Sequence, residues 1–309
     1  MMDKKDKFIE NEKSGYYIAL GSFDGLHKGH LELVKKIVSL AKDNNSYSMV
    51  YTFRNHPRKI ISLNSDIELL MNNSTKIHLL EELGVDEIVL KEFTNDLMKE
   101  PPEDFIKKLC TNYKVKGIVV GFNYRFGYKN KGDLELLKSL AKVYGYRLYV
   151  IEPLMVNNDV VSSTRIRNYL KDGYVEKAME LLERPYSLEG IVVGGKKLGR
   201  TIGFPTANLK VSEDMLIPKK GVYYTNVVYN NNQFKGITSV GTNPTVNGEK
   251  ITIETHILDF DKNIYDKELK LIFLERIRDE KKFDSIEKLV ERLKKDKEFA
   301  KNRELYNKK

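Results

Sequence analysis

The chain is 309 residues long, more than one ordinary core takes up, so two domains of roughly 100–200 residues each are expected. With 41% apolar and 31% charged residues, 20 Gly and only 8 Pro, it is neither a disordered chain nor a fibrous repeat. Lys and Arg outnumber Asp and Glu by 53 to 44, a net +9 that suits an anionic partner such as nucleic acid, a membrane surface or a nucleotide. Most of that excess is scattered Lys, which reads as a solvated surface.

Residues 16 to about 151 alternate short apolar runs with helical patterns. Strands are expected at Tyr16–Leu20, Ser48–Phe53, Glu87–Leu90, Gly117–Val120 and Arg147–Ile151. Helices are expected around Leu31, Val34, Ile37, Val38 and Ala41, then over Ile77–Leu83, Phe105–Cys110 and Leu134–Val143. This alternation predicts a parallel sheet wrapped by helices. Two further helices are expected at Thr164–Lys171 and Val175–Glu183.

The pattern changes at Arg184-Pro185. Strands are then expected at Leu188–Val193, Gly221–Tyr229, Phe234–Val240, Ile251–Leu258 and Glu268–Glu275, parted by turns at Gly194-Gly195, Asn230–Asn232 and Asn247-Gly248. Such spacing suggests a small antiparallel barrel. A closing amphipathic helix carries Ile286, Leu289, Val290, Leu293 and Phe299 as its stripe, capped by Asp284 or Ser285. The domains are expected at 1–183 and 184–309.

Cys110 is the lone cysteine, so neither an internal disulfide nor a Cys-based zinc site can form, and a reducing compartment fits best. The N-terminus, MMDKKDKFIENEKSG, is charged and has no apolar core, and no stretch approaches the ~20 apolar residues of a membrane span. A soluble cytoplasmic protein is expected.

The first βα turn reads GSFDGLHKGH, from Gly21 to His30. Its glycines permit a tight turn and close backbone approach, and the helix start offers free N–H groups to a phosphate. His27 and His30, three apart, are suited to donate to phosphoryl oxygens as a bond to the α-phosphorus breaks. The turn resembles the H-x-G-H signature of the nucleotidyltransferase superfamily. Class I aminoacyl-tRNA synthetases share a related signature, so this turn alone leaves the substrate open.

Three later segments narrow it: TFRNHP (Thr52–Pro57), VVGFNYRFGYKNKGD (Val119–Asp133) and VVSSTRIR (Val160–Arg167). Together they resemble the FMN adenylyltransferase module of bacterial bifunctional riboflavin kinase/FAD synthetases. The resemblance assigns ATP phosphates to His27 and His30, with Gly21, Phe23 and Gly29, and a second phosphate motif to Ser163, Thr164 and Arg167. His56, Pro57, Asn123 and Arg125 match the flavin or substrate cleft. Asn55 replaces the first proline of the family's F-x-P-H-P, and Asn123 stands where Asp is commoner. For Arg125, a structural ion pair weighs nearly as much as substrate contact.

GRTIGFPTANL, from Gly199 to Leu209, is no Walker A loop. If Thr206–Asn208 is extended, Thr206 and Asn208 share one face and offer hard oxygen ligands for Mg²⁺. On IETHILDFD (Ile253–Asp261), Ile251, Ile253 and Ile257 are expected on one face and Thr252, Glu254 and His256 on the other. With PKKGVYY, GITSVGTNPTV and LERIRDEKKF, this series resembles riboflavin kinase from Leu188 to about Ala300. The resemblance makes Glu254 the general base and Thr206 and Asn208 the metal ligands, with Gly195, Gly199 and Gly203 beside ATP. Asp266 departs from the family's usual Gly. His256 and His78 receive no role.

The resemblance implies two reactions in sequence. Riboflavin and ATP give FMN and ADP at the barrel, and FMN and ATP give FAD and pyrophosphate at the N-terminal domain, both with Mg²⁺. No nucleic acid, membrane or obligate protein partner is implied. The rivals are a protein with only one live module, or a basic nucleic-acid-binding protein on a nucleotidyltransferase-like scaffold. The absence of Trp and of a basic block counts against the second.

Overall fold

Strand β1 (Tyr16–Leu20) is the centre of the first sheet, and all of it but half-buried Tyr16 is buried. The computed structural model describes residues 13–61, 67–195, 198–245 and 248–307. The first twelve residues, and Asn247 of the expected Asn247-Gly248 turn, lie outside them.

After β1 come α1 (Lys28–Asp43), β2 (Tyr47–Phe53), α2 (Pro57–Ile61), α3 (Asn73–Glu82) and β3 (Glu87–Lys91). Then follow α4 (Asn95–Met98), α5 (Pro102–Asn112), β4 (Val115–Gly121), α6 (Leu134–Tyr144), β5 (Arg147–Ile151) and a hairpin of β6 (Met155–Val156) and β7 (Asp159–Val160). The five expected strands are present and pair in parallel in the order β3-β2-β1-β4-β5. Helix α1 buries Leu33, Val34, Ile37 and Ala41, and it lies against β1, β2 and β4. Ile106 and Leu109 of α5 and Leu137 of α6 join Ile18, Leu20, Met49, Ile118 and Val120 in one core. The short α2, α4 and the β6–β7 hairpin go beyond the sequence reading. Each is too short to show a periodicity.

The strand order reverses beside β1. The chain runs from β1 outward to β3, then crosses back to β4 on the other side. Ligands of open α/β sheets bind at such a reversal, outside the carboxyl ends of the strands. The loops after β1, β2 and β4 all leave from that edge.

The remaining elements are α7 (Ser163–Asp172), α8 (Val175–Leu182), β8 (Tyr186–Val193), α9 (Leu198–Thr201), β9 (Ala207–Val211) and β10 (Gly221–Tyr229). They end with β11 (Asn232–Thr245), β12 (Gly248–Ile257), β13 (Glu268–Arg278) and α10 (Ile286–Lys301). Strands β8 to β13 close a barrel in the order β10-β11-β12-β9-β8-β13. Short β9 completes it, pairing with β12 through Ala207 and Asn208 and with β8 through Asn208–Val211. Asn230 (φ 46°) and Asn231 (φ 61°) form the two-residue turn that matches the twist of the β10–β11 hairpin. Asp266, at φ 59°, occupies a left-handed turn position where a glycine is the easy choice and Asp is tolerated.

The chain divides into two compact units, Met1–Ile67 with Asn72–Val161, and Glu68–Met71 with Ser162–Lys309. Helices α7 and α8 thus go with the barrel, whereas the sequence reading puts the boundary at 183/184. Helix α8 buries Val175, Ala178, Leu181 and Leu182 and packs on β8 and β13. The Arg276 amide donates to Glu176 at 3.0 Å.

One expected face needs correction, and one strand face carries an unexpected burial. Ser285 caps α10 as expected, but Ile286 is 57% exposed and the helix's buried residues are Asp296 and Ala300. Asp296 lies inside because Arg278 and Arg292 both bind its carboxylate, at 2.8 and 3.0 Å. On β12, Ile251 is 47% exposed while His256 is 8% exposed, because Phe204 and the Pro205 carbonyl cover the imidazole.

Candidate active sites

In the turn after β1, Phe23 (φ 49°), Gly25 (φ 82°) and Leu26 (φ 38°) all take left-handed backbone angles. Phe and Leu rarely do so, and such strain persists only where the surroundings enforce it. The Ser22 carbonyl is held from two sides, by the Thr52 hydroxyl at 2.9 Å and the Lys76 ammonium at 3.2 Å. His27 caps α1, with Nδ1 accepting the His30 amide at 3.3 Å. That bond leaves the His27 ring proton on Nε2.

The two imidazoles stack with centroids 3.7 Å apart and planes 14° apart. Phe23 is fully buried, with its ring 5.3 Å from that of His30, so its side chain supports the histidine from beneath. A Cβ on Gly29 would press on the His27 ring at 3.3 Å. The structure therefore gathers Gly21, Phe23, His27, Gly29 and His30 into one turn at the sheet's carboxyl edge.

The segment after β2 carries His56 and Pro57, both half-buried at the start of α2. His56 Nδ1 accepts the Arg58 amide at 3.2 Å. Asn55 has its own work: its side chain donates to the Phe93 carbonyl at 2.9 Å and accepts the Phe93 amide at 2.8 Å. A proline could make neither bond, so this departure ties the loop to the segment after β3. After β4, Asn123 is exposed. Arg125 pairs with Asp133 at 3.1 Å. The Leu136 amide, with Arg125 beside it, holds the Asp133 carboxyl below its ordinary range. Gly127 is required there: at φ 69° it lies against Pro102, where a Cβ would sit 2.6 Å from the ring.

Ser163, Thr164 and Arg167 belong to the second unit. Ser162 caps α7 through the Arg165 amide, which leaves Ser163 and Thr164 in its first turn. Arg167 is 8% exposed, and its Nε donates to the Glu68 carbonyl at 2.8 Å.

On the barrel, Asn208 pairs with Glu254 across the β9–β12 ladder. The Thr206 hydroxyl donates to Glu254 Oε2 at 3.4 Å. All three side chains are half-buried. Gly195 lies so close to the Asn208 amide that any Cβ would collide with it, and a Cβ on Gly199 would likewise collide with the Phe204 carbonyl and sit 3.6 Å from Thr206 Oγ1. Gly203, at φ 81°, turns the chain just before Phe204. Thr206, Asn208, Glu254, Gly195 and Gly199 thus form one cluster.

Two residues beside these clusters received no role from the sequence reading. Lys76 is one; its only local sign is a Lys in line with buried Leu80, one turn on. His256 is the other, since its Nδ1 meets the Pro205 carbonyl at 2.9 Å, next to Thr206. His78, by contrast, is on the surface, 3.5 Å from Glu82. Burial pushes the Cys110 thiol up to about 11, which disfavours the thiolate.

Residues 9–165 match the FAD synthetase family and residues 182–303 match the riboflavin kinase family. A bifunctional riboflavin kinase/FMN adenylyltransferase from Listeria monocytogenes is 35% identical over 90% of this chain and 89% of its own. One from Bacillus subtilis is 32% identical over 94% of this chain and 93% of its own. A solved Streptococcus pneumoniae structure, described as a macrolide-efflux protein, superposes with a TM-score of 0.88 at 34% identity, over 94% of this chain and 95% of that one. Among the described residues here, no helix is long and apolar enough to cross a membrane. With both modules matched in order along nearly its whole length, the chain belongs to the bifunctional riboflavin kinase/FMN adenylyltransferase family.

Proposed function

We propose that the barrel phosphorylates riboflavin with ATP, giving FMN and ADP, and that the N-terminal sheet unit then adenylylates FMN with a second ATP, giving FAD and pyrophosphate. The observation that carries this reading is the Thr206–Asn208–Glu254 cluster, built on the paired strands β9 and β12 and the residue just before β9. Glu254 is the general base. It takes the proton of the ribityl hydroxyl as that oxygen attacks the γ-phosphorus, and the bond from that phosphorus to ADP breaks.

The donor set fits Mg²⁺. Thr206 and Asn208 offer neutral hard oxygens, and no group of three His, Cys, Asp or Glu among the described residues could hold a metal alone. Mg²⁺ dehydrates reluctantly, keeps several waters and leans on substrate phosphates for its remaining oxygens, so few protein oxygens are needed. When bound, it would neutralise phosphate charge.

For adenylyl transfer, a phosphate oxygen of FMN attacks the α-phosphorus of ATP and pyrophosphate leaves. The stacked pair of His27 and His30 supports a role as donors to the oxygens that gain charge. Ser163 and Thr164 would serve ATP phosphates through hydroxyls and first-turn amides, and Arg167 through its charge. His56, Pro57, Asn123 and Arg125 would line the flavin side, with Arg125 leaving Asp133 to do so. A cytoplasmic location suits an ATP-consuming enzyme of this kind.

Incubation with riboflavin, ATP and Mg²⁺, followed by chromatography of the flavins, tests the proposal. FMN should appear first and FAD after it. A protein that makes neither overturns it.

A further inference from the structure

Lys76 lies on α3, far along the chain from the turn it touches, and is 5% exposed. Its Nζ donates to the Ser22 carbonyl and to the Phe53 carbonyl, both at 3.2 Å. The first carbonyl opens the strained stretch from Phe23 to Leu26; the second ends β2. The Thr52 hydroxyl, itself wholly buried, reaches the same Ser22 carbonyl at 2.9 Å. Burial pushes the Lys76 ammonium down in pKa, and the Asp24 carboxylate opposes that shift. A buried cation is a costly way to fill space that a Met would fill as well. Its return here is geometric, because one ammonium fastens the two chain ends just past the last β1–β2 pair, Leu20 with Tyr51.

We propose that Lys76 is a positioning residue for adenylyl transfer. Its ammonium clamps the Ser22 and Phe53 carbonyls and thereby holds the Gly21–His30 turn in the left-handed path that presents His27 and His30. This inference rests on the adenylyl-transfer reading of that turn. Without the clamp the strained residues relax, the histidine pair shifts, and a misplacement of about 1 Å costs about 10²-fold in rate.

The test compares wild type, Lys76→Met, Thr52→Val and the double variant, with FMN and ATP as substrates. Lys76→Met keeps the stem and removes the charge. Its kcat for FAD formation should fall about 10²-fold, with KM for FMN changed by no more than about threefold. Thr52→Val should lose less. The double variant should lose less than the product of the two, since both side chains act on one carbonyl. Riboflavin phosphorylation should be untouched in all four.

A Lys76→Met protein that melts earlier but turns over FMN at the wild-type kcat overturns the clamp and leaves only a packing role. Should Lys76→Met fail to fold, Lys76→Gln decides: its shorter side chain falls short of the two carbonyls, and an unchanged kcat in it overturns the clamp. Absence of FAD formation in wild type overturns the adenylyl-transfer reading itself and the clamp with it.

Discussion

Glu254 and Asn208 stand directly opposite each other on β12 and β9, and the Glu254 carboxylate also accepts the Thr206 hydroxyl at 3.4 Å. Cross-strand partners keep their Cβ atoms about 4.5–5.5 Å apart. The Glu254 carboxylate and the Asn208 amide are therefore held together by the barrel's own ladder, with Thr206 one residue before β9. Glu254→Gln keeps the shape and removes proton acceptance. FMN formation should fall by about 10²–10⁴. Supplied FMN should still become FAD at the wild-type rate. Chromatography of both reactions in the one variant checks it, and normal riboflavin phosphorylation would remove Glu254 from the mechanism.

His30→Ala removes the imidazole stacked on His27 while leaving its backbone amide to complete the helix cap. FAD formation should fall by about 10²–10³, the usual cost of losing one preorganised donor. FMN should accumulate from riboflavin. An unchanged FAD yield at limiting enzyme would mean that the stacked pair is only a helix cap.

His256 should make the barrel acid-sensitive. Burial pushes it below its ordinary 6.5, outweighing the Pro205 carbonyl, and nearby Lys297 pushes the same way while Asp259 opposes. The unfolded chain therefore binds the proton more readily than the folded one. The stabilising contribution is whole above 6.5 and falls as pH drops from there towards the folded value. His256→Asn keeps a donor for the Pro205 carbonyl and has no proton to gain. Melting curves between about pH 5 and 8 should show a shallower acid slope for the variant. Equal slopes would refute the assignment.

The barrel should be separable, and the place of the cut should matter. Fragments Ser162–Lys309 and Arg184–Lys309 both retain Thr206, Asn208 and Glu254, so both should phosphorylate riboflavin. Only the longer keeps α8, whose Val175, Leu181 and Leu182 are buried. Each such side chain is worth about 1.5–3 kcal/mol. The shorter fragment should melt clearly lower, and equal melting temperatures would show that α8 adds nothing to the barrel.

The sequence by itself determined the local features. Alternating apolar runs and helical stripes gave the five parallel strands and most of the barrel strands. The strand–turn–helix context marked His27 and His30. Caps such as Ser285 were readable because an N-cap bond spans only three residues. Short elements such as β9 were not readable, because their hydrogen bonds lie on other strands.

What only the tertiary structure decided is the fate of polar groups with distant partners. Asp296 sits inside α10 because Arg278 and Arg292 converge on it. Arg167 is anchored by a carbonyl 99 residues away, at Glu68. Asn55 stands in for a proline because Phe93 is there to pair with it. Lys76 looks like a surface charge on a short helix until its ammonium is seen between Ser22 and Phe53. The reason is common to all four. Periodicity and capping depend on neighbours a few residues along the chain, whereas burying a charge or an amide is tolerable only if partners arrive from elsewhere, and which partners arrive is settled by the fold.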